Sequence, residues 1–284
     1  MTFAIAGTSG RTGKIIADSL LAAGKKVRVI VRDAAKGEEW KRRGAEVAVA
    51  DLTDAKALAR ALEGASGAYL LVPPAFTDDY RRQQDETSKA LAAALATSRV
   101  PHVVLLSSIG AQHASGTGPI AGLHATENLF AKIPGTVFTF LRAAYFVENI
   151  GASLGAVREA GVLPSFFPAD LRFPMTNTTD IGKQAARLLL EPPAKSSIVE
   201  LGTDRSFAEL ATTLARITGK QVTVQEAPLS VMVETLTGFG FPRGLAELYH
   251  EMTGAIRTGH VRFDGHKRVE DGEPLERTLK QLLG

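Results

Sequence analysis

The chain has 284 residues, 45% of them hydrophobic, enough for one large domain or one domain with an annex. It contains no cysteine, which excludes disulfides, thiol catalysis and cysteine-ligated metals, and no metal is expected. The net charge is only +3, the basic residues are scattered, and no apolar run reaches membrane-span length, so neither a nucleic-acid nor a membrane partner is expected.

The first element is an apolar run at 3–6 that stops at Gly7 and suits a buried parallel strand, covered on both faces. Within 12–23, Ile15, Ile16, Leu20 and Leu21 recur near helical spacing, with Gly24 at the C-cap position, and a second strand follows at 27–31. A strand that begins by residue 3 makes an N-terminal signal unexpected, and a cytoplasmic location is the expectation. Further strands are expected at 46–50, 68–72, 102–106 and 137–141, the third strand ending in Asp51-Leu52 and the fourth stopped by Pro73-Pro74. Helices are expected at 54–63, at 79–98 and around 127–132, and Lys41-Arg42-Arg43 on a solvated helix face.

Six strands separated by helices predict an α/β fold, a Rossmann doubly wound parallel sheet, with ligand at the carboxyl ends of the strands. This domain is expected over 1–150, with 178–195 returning to it through a helix at 180–190. Beyond Arg142 the pattern loosens into a helix at 150–160, a Pro/Phe-rich loop, strands at 197–201 and 221–225, and helices at 207–218, 230–237 and 243–256. Residues 151–177 and 196–284 are therefore read as a smaller C-terminal α/β substrate-binding region that acts as a lid.

Gly7, Gly10 and Gly13 stand between the first strand and the first helix. A helix N-terminus offers unpaired N–H groups and the positive end of a dipole, and glycines let a pyrophosphate come close to it. The spacing G-x-x-G-x-x-G is one residue longer than the usual dinucleotide fingerprint, and the competing reading is an ordinary strand-to-helix turn. A Walker loop is excluded, because Thr8 stands where its first glycine belongs and Ile15 where its magnesium-binding hydroxyl belongs. Arg32 ends the second strand, with Lys36 four residues on and Arg11 in the glycine loop. An arginine there accommodates a ribose 2′-phosphate, so NADP(H) is preferred over NAD(H). Asp33 keeps the NAD alternative open, and the competing reading of these charges is a solvated cluster.

The motifs "AGTSGRTGK", "VIVRD", "ADLTD", "LLVPP", "VVLLSSIGA", "FLRAAYFVENI" and "TDIGKQAARLL", in that order, closely resemble those of the NmrA-like atypical short-chain dehydrogenase/reductases. "HATENLF" and "FTFLRAAYF" resemble most the bacterial branch that holds quinone reductases and the triphenylmethane-dye reductase. The resemblance implies the Rossmann fold, NADP(H) binding and reduction of conjugated acceptors. Matched residue by residue, it implies a pyrophosphate loop of Gly7, Thr8, Gly10, Arg11, Thr12 and Gly13, with Arg32 on the 2′-phosphate. Asp51 and Leu52 would meet adenine, and Val72 and Pro73 its ribose, while Ser107, Ser108, Tyr145 and Phe146 would border the nicotinamide half. Several family members self-associate, so a homodimer is admitted, although no motif here requires one.

One departure bears on the chemistry. Four residues after Tyr69, Tyr80, Tyr145 and Tyr249 stand Pro73, Gln84, Asn149 and Thr253, so the superfamily's Tyr-x-x-x-Lys relay is absent. Carbonyl reduction by that relay is not expected. Hydride transfer to a quinone or cationic dye needs mainly that nicotinamide and acceptor be held together and water excluded. His124 is the candidate proton donor, the competing reading being a histidine bonded within the core or facing water. Phe76, Tyr80, Phe166, Phe167, Phe239 and Phe241 are the candidates for a flat, apolar acceptor, against the alternative that they fill the seam between the two regions. Glu127, Glu148 and Asn149 are expected to cap or anchor helices. The readings in competition are an NADPH-dependent reductase and a non-catalytic NADP(H)-binding redox sensor that regulates a partner. An epimerase or dehydratase ranks last, for want of the tyrosine.

Overall fold

Residues 1–284 are described by a computed structural model. The first half alternates strand and helix: β1 (Thr2–Ala6), α1 (Arg11–Ala22), β2 (Lys26–Val31), α2 (Glu38–Arg42), β3 (Glu46–Val49), α3 (Ala55–Leu62), β4 (Gly67–Leu71), α4 (Tyr80–Ser98), β5 (His102–Ser108), α5 (Ile120–Phe130) and β6 (Val137–Ala143). These six strands lie in the order β3-β2-β1-β4-β5-β6, all parallel, which is the doubly wound Rossmann arrangement. Chain order reverses between β1 and β4, so a crevice opens above their carboxyl ends. Apolar runs such as Phe3-Ala4-Ile5-Ala6 are buried on both faces because helices cover both. Asp54 starts α3 by accepting from the Lys56 and Ala57 amides, both at 3.0 Å.

The remaining elements are β7 (Tyr145–Phe146), α6 (Leu154–Ala160), β8 (Val162–Ser165), β9 (Phe173–Thr176), α7 (Thr178–Leu190), β10 (Ser197–Leu201), β11 (Thr203–Arg205), α8 (Phe207–Thr218), β12 (Thr223–Glu226), α9 (Met232–Gly238), α10 (Arg243–Arg257), β13 (Lys267–Val269) and α11 (Leu275–Leu283). Two of them correct the expected division of the chain. β10 pairs with β6, Ser197 opposite Thr139 through Leu201 opposite Ala143, and β13 pairs with β10, so the main sheet has eight strands. Residues 197–201 and 267–269 therefore belong to the main sheet rather than to the smaller region. Val199 and Leu201 bury themselves in the core cluster shared with α1 and α7, a destination that a strand pattern cannot reveal.

The smaller region carries a three-stranded sheet, β11-β9-β7, and a parallel pair, β12-β8. Its own core gathers Val157, Leu163, Phe167, Phe173, Phe207, Leu210 and Leu214. α8 begins with a capping box, Ser206 and Glu209 each accepting the other's backbone N–H. The helix expected at 150–160 starts as a 3-10 segment, Val147–Ser153, and becomes α-helical only from Leu154, since Gly151 weakens its first turns. No helix is long and apolar enough to cross a membrane.

Candidate functional site

The β1–α1 turn is built for glycine. Gly7 has a φ of 70°, and a Cβ on it would stand 2.9 Å from Leu71 Cδ2. A Cβ on Gly13 would stand 2.4 Å from the carbonyl carbon and oxygen of Gly7, so the helix can press onto the turn only without a side chain. Gly10 caps α1 without a side-chain hydrogen bond, and the first turn holds no acidic residue. The N-terminal amides of α1 thus meet no anion from the protein, and the Oγ1 of buried Thr8 also lacks a partner. An uncapped helix start beside a glycine cradle and an orphaned hydroxyl fits a pyrophosphate. Thr12 accepts a 3.1 Å hydrogen bond from the Tyr69 hydroxyl, which ties the loop to β4.

Arg32 and Lys36 are exposed at the carboxyl end of β2. Asp33 is engaged: its Oδ1 accepts from the Ala35 amide at 2.9 Å and caps the short 3-10 helix Ala34–Gly37. Asp51 accepts from the Thr53 hydroxyl at 2.6 Å and the Thr53 amide at 2.8 Å. Those bonds, with the attraction of Arg32, hold its carboxyl below the usual range. Leu52 is half-buried and packs on the core beside it.

A cavity of about 500 Å³ continues from this loop past the ends of β4, β5 and β6. Of the expected site residues it brings together Arg11, Thr12, Val72, Tyr80, Ser107, Ser108, Tyr145 and Phe146. Pro73 lies outside the wall, which uses Pro74 instead. Ser107 and Ser108 are the last residues of β5, so the strand runs two residues further than its apolar stretch. Ser107 donates to Glu127 Oε1 at 2.5 Å, and Arg142 Nε and Nη2 donate to the two oxygens of Glu127 at 3.0 and 2.7 Å. Glu127 and Arg142 thereby form a buried, bidentate pair behind the cavity wall.

Several expected residues fall elsewhere. His124 does not reach the cavity: Nδ1 donates to the Ala111 carbonyl at 2.8 Å, and Nε2 accepts from Asn128 at 2.8 Å. Both ring nitrogens are occupied, so no proton is free for an acceptor, and Ile120 and Leu123 are the residues of α5 that face the cavity. Phe167 belongs to the second core, its ring centroid 4.6 Å from Phe173 and 5.5 Å from Phe207, as the seam-filling alternative holds. Phe166 stands outside the cavity and offers only its carbonyl, to Arg257. Phe76 and Phe239 are 69% and 78% exposed. Phe241 bridges outward from the cavity, 4.8 Å from Phe76 on one side and 6.0 Å from Tyr249 on the other.

Sequence reading missed Tyr249, Met252 and Ile256, which α10 presents to the cavity, and Val261 beyond it. Their spacing of three, four and seven positions is that of one helix face and was the available signal. It marks an apolar face without saying what that face covers.

Glu148 lines the cavity and anchors α7, its Oε1 accepting from the amide and hydroxyl of Thr178 at 2.7 and 2.5 Å. Behind it Asp271, bonded by the Thr176 hydroxyl at 2.7 Å, is pushed up to about 6, chiefly by burial and further by Asp180 and Glu148. Because this folded-state value lies above the ordinary 3.8, the group favours the fold fully below the lower value, and that contribution is lost as pH rises through the upper one. Relative to wild type, Asp271→Asn is expected to gain about 2 kcal/mol between about pH 4 and about pH 8. Urea denaturation at both pH values checks this, and a difference that does not move with pH would count against it.

The profile of the NmrA-like family matches residues 1–261. The chain is 30% identical to quinone oxidoreductase 2 of Escherichia coli (strain K12) over 288 residues, covering 99% of this chain and 93% of that protein. The crystal structure of Escherichia coli NADPH-dependent quinone oxidoreductase QOR2 with NADPH superposes with a TM-score of 0.84 at 26% identity, over 99% of this chain and 100% of the other. Citrobacter sp. triphenylmethane reductase shares the fold, with a TM-score of 0.82 at 22% identity over 100% and 99% of the two chains. A glycine-built helix start opening on a cavity at the switch point of the sheet, and a match that runs through both regions, agree: the chain belongs to the NmrA-like family.

Proposed function

We propose that the protein is an NADPH-dependent reductase that passes hydride to a quinone-like or other flat, conjugated acceptor. The observation that carries this reading is the continuity of the site. The uncapped start of α1 opens into the cavity of about 500 Å³, whose wall is mostly apolar. Gly7 to Gly13 would hold the pyrophosphate, and Arg32, with Lys36 and Arg11, the 2′-phosphate. One carboxylate oxygen of Asp33 is taken by its cap, while Arg32 and Lys36 beside it offer two exposed cations, which favours a 2′-phosphate over a ribose diol at this position. When bound, the reduced nicotinamide supplies the hydride. The protein's part is to hold the acceptor against it and exclude water, which the wall formed by Val72, Tyr145, Phe146, Tyr249, Met252 and Ile256 suits. α10 of the smaller region closes this wall, which supports reading that region as the acceptor's side of the site. The relatives named above as quinone oxidoreductases support the same class of acceptor.

Purified protein mixed with excess NADPH and a small panel of quinones and dyes is expected to consume NADPH over many turnovers, followed by nicotinamide absorbance. Tight NADPH binding without consumption would overturn the reductase in favour of the sensor.

A further inference from the structure

Three of the chain's four tyrosines line one cavity. Tyr80 opens α4, Tyr145 forms half of β7, and Tyr249 sits on α10, so the fold gathers them from three distant segments. All three line the cavity, and none of their hydroxyls is among the sealed, unpartnered polar atoms of the interior. Tyr145 meets the Asn149 side chain.

Their rings are held. Tyr145 stands edge-on to Phe167 and Phe173, both at 5.6 Å, and Tyr249 edge-on to Phe241 at 6.0 Å. Tyr80 is only 6% exposed. Burial pushes Tyr80 and Tyr145 up to about 12, the nearby Tyr249 adding to both, and raises Tyr249 itself. All three therefore keep their protons at neutral pH, so each has an O–H to donate. Of the cations around the cavity, Arg142 is committed to Glu127 and Arg81 to the Gly118 carbonyl at 2.6 Å, while Arg11 lines the cavity from the glycine loop. Acceptor oxygens entering this end of the cavity meet neutral phenol donors fixed in place, the arrangement that stabilises a developing oxyanion.

Resting on the reductase reading above, we propose that Tyr145 and Tyr249, with Tyr80 beside them, donate hydrogen bonds to a carbonyl oxygen of the acceptor and thereby select quinones over cationic dyes. A quinone that accepts hydride becomes a hydroquinone monoanion with its charge on oxygen, the nicotinamide being oxidised to NADP⁺, and then takes one proton from water. A triarylmethane cation accepts hydride at its central carbon and becomes neutral, so it has no oxyanion to stabilise. Fixed donors accelerate the first reaction and leave the second without their help.

The test compares wild type, Tyr145→Phe, Tyr249→Phe and the double variant on a 1,4-naphthoquinone and a triphenylmethane dye, with NADPH binding measured separately by fluorescence titration. Wild type is expected to turn over the quinone faster. Each single variant is expected to lose about 10-fold or more in quinone kcat, more than it loses on the dye, with NADPH affinity and melting temperature held. Quinone kcat within about twofold of wild type in the double variant, equal losses on both acceptors, or a wild type that prefers the dye would overturn the donor assignment. A wild type that binds NADPH and reduces neither acceptor would instead remove the reductase reading, and this assignment with it.

Discussion

Arg32→Ala is expected to raise the dissociation constant for NADPH about 30-fold while leaving that for NADH within about twofold. A guanidinium facing a phosphate makes charge-assisted bonds worth about 2 kcal/mol, and a cofactor without the 2′-phosphate never makes them. Arg32 is placed for the task because β2 delivers it to the same rim of the sheet as the glycine loop, and because the charge of Asp51 attracts it there. Lys36→Ala should cost less, since an ammonium on a flexible stem is a point charge rather than a planar fork. The site is exposed, so the difference between the two cofactors should narrow as salt is raised. Titration of both cofactors against wild type and variant decides it, and an equal loss for both would remove Arg32 from the 2′-phosphate.

The legibility of this chain in its sequence divides along the same line as its physics. The first six strands could be read because each is a short apolar run between turn residues, a pattern imposed by burial on both faces. β10 was readable as a strand but not as a member of the main sheet, because Val199 and Leu201 would be equally apolar in either layer. β13 is Lys267-Arg268-Val269, and its two charged residues give no strand signal. The glycine loop and Arg32 stood out because dinucleotide chemistry demands particular residue types at particular places. The acceptor's side did not, since an apolar residue in a cavity wall looks like one in a core: Phe167 proved to be core and Met252 wall. His124 misled for a related reason. Its chemistry was suitable, but the carbonyl of Ala111 and the amide of Asn128, which occupy it, come from a loop contact and a helix turn that the sequence does not display.

Arg142→Met is expected to destabilise the fold by about 3–5 kcal/mol and to lower the melting temperature by about 10 °C. The Arg142 and Glu127 side chains are 5% and 8% exposed, so removing the guanidinium strands a carboxylate where water does not reach it. Only the Ser107 hydroxyl would remain to bond it, because Arg142 supplies both of its other hydrogen bonds. Glu127→Leu alone should be similarly costly, leaving the cation with Gln112 at 3.4 Å and Asp264 at 3.8 Å. The double variant, Arg142→Met with Glu127→Leu, should recover most of the loss, since a buried pair roughly breaks even against apolar residues of similar size. Thermal melts of the three variants form a double-mutant cycle, and additive losses would show that the pair is not coupled. The pair also reaches the site: without Glu127, Ser107 loses the acceptor that orients its hydroxyl at the cavity wall. The double variant should therefore regain stability more fully than turnover, which separates what the ion pair does for the fold from what it does for the site.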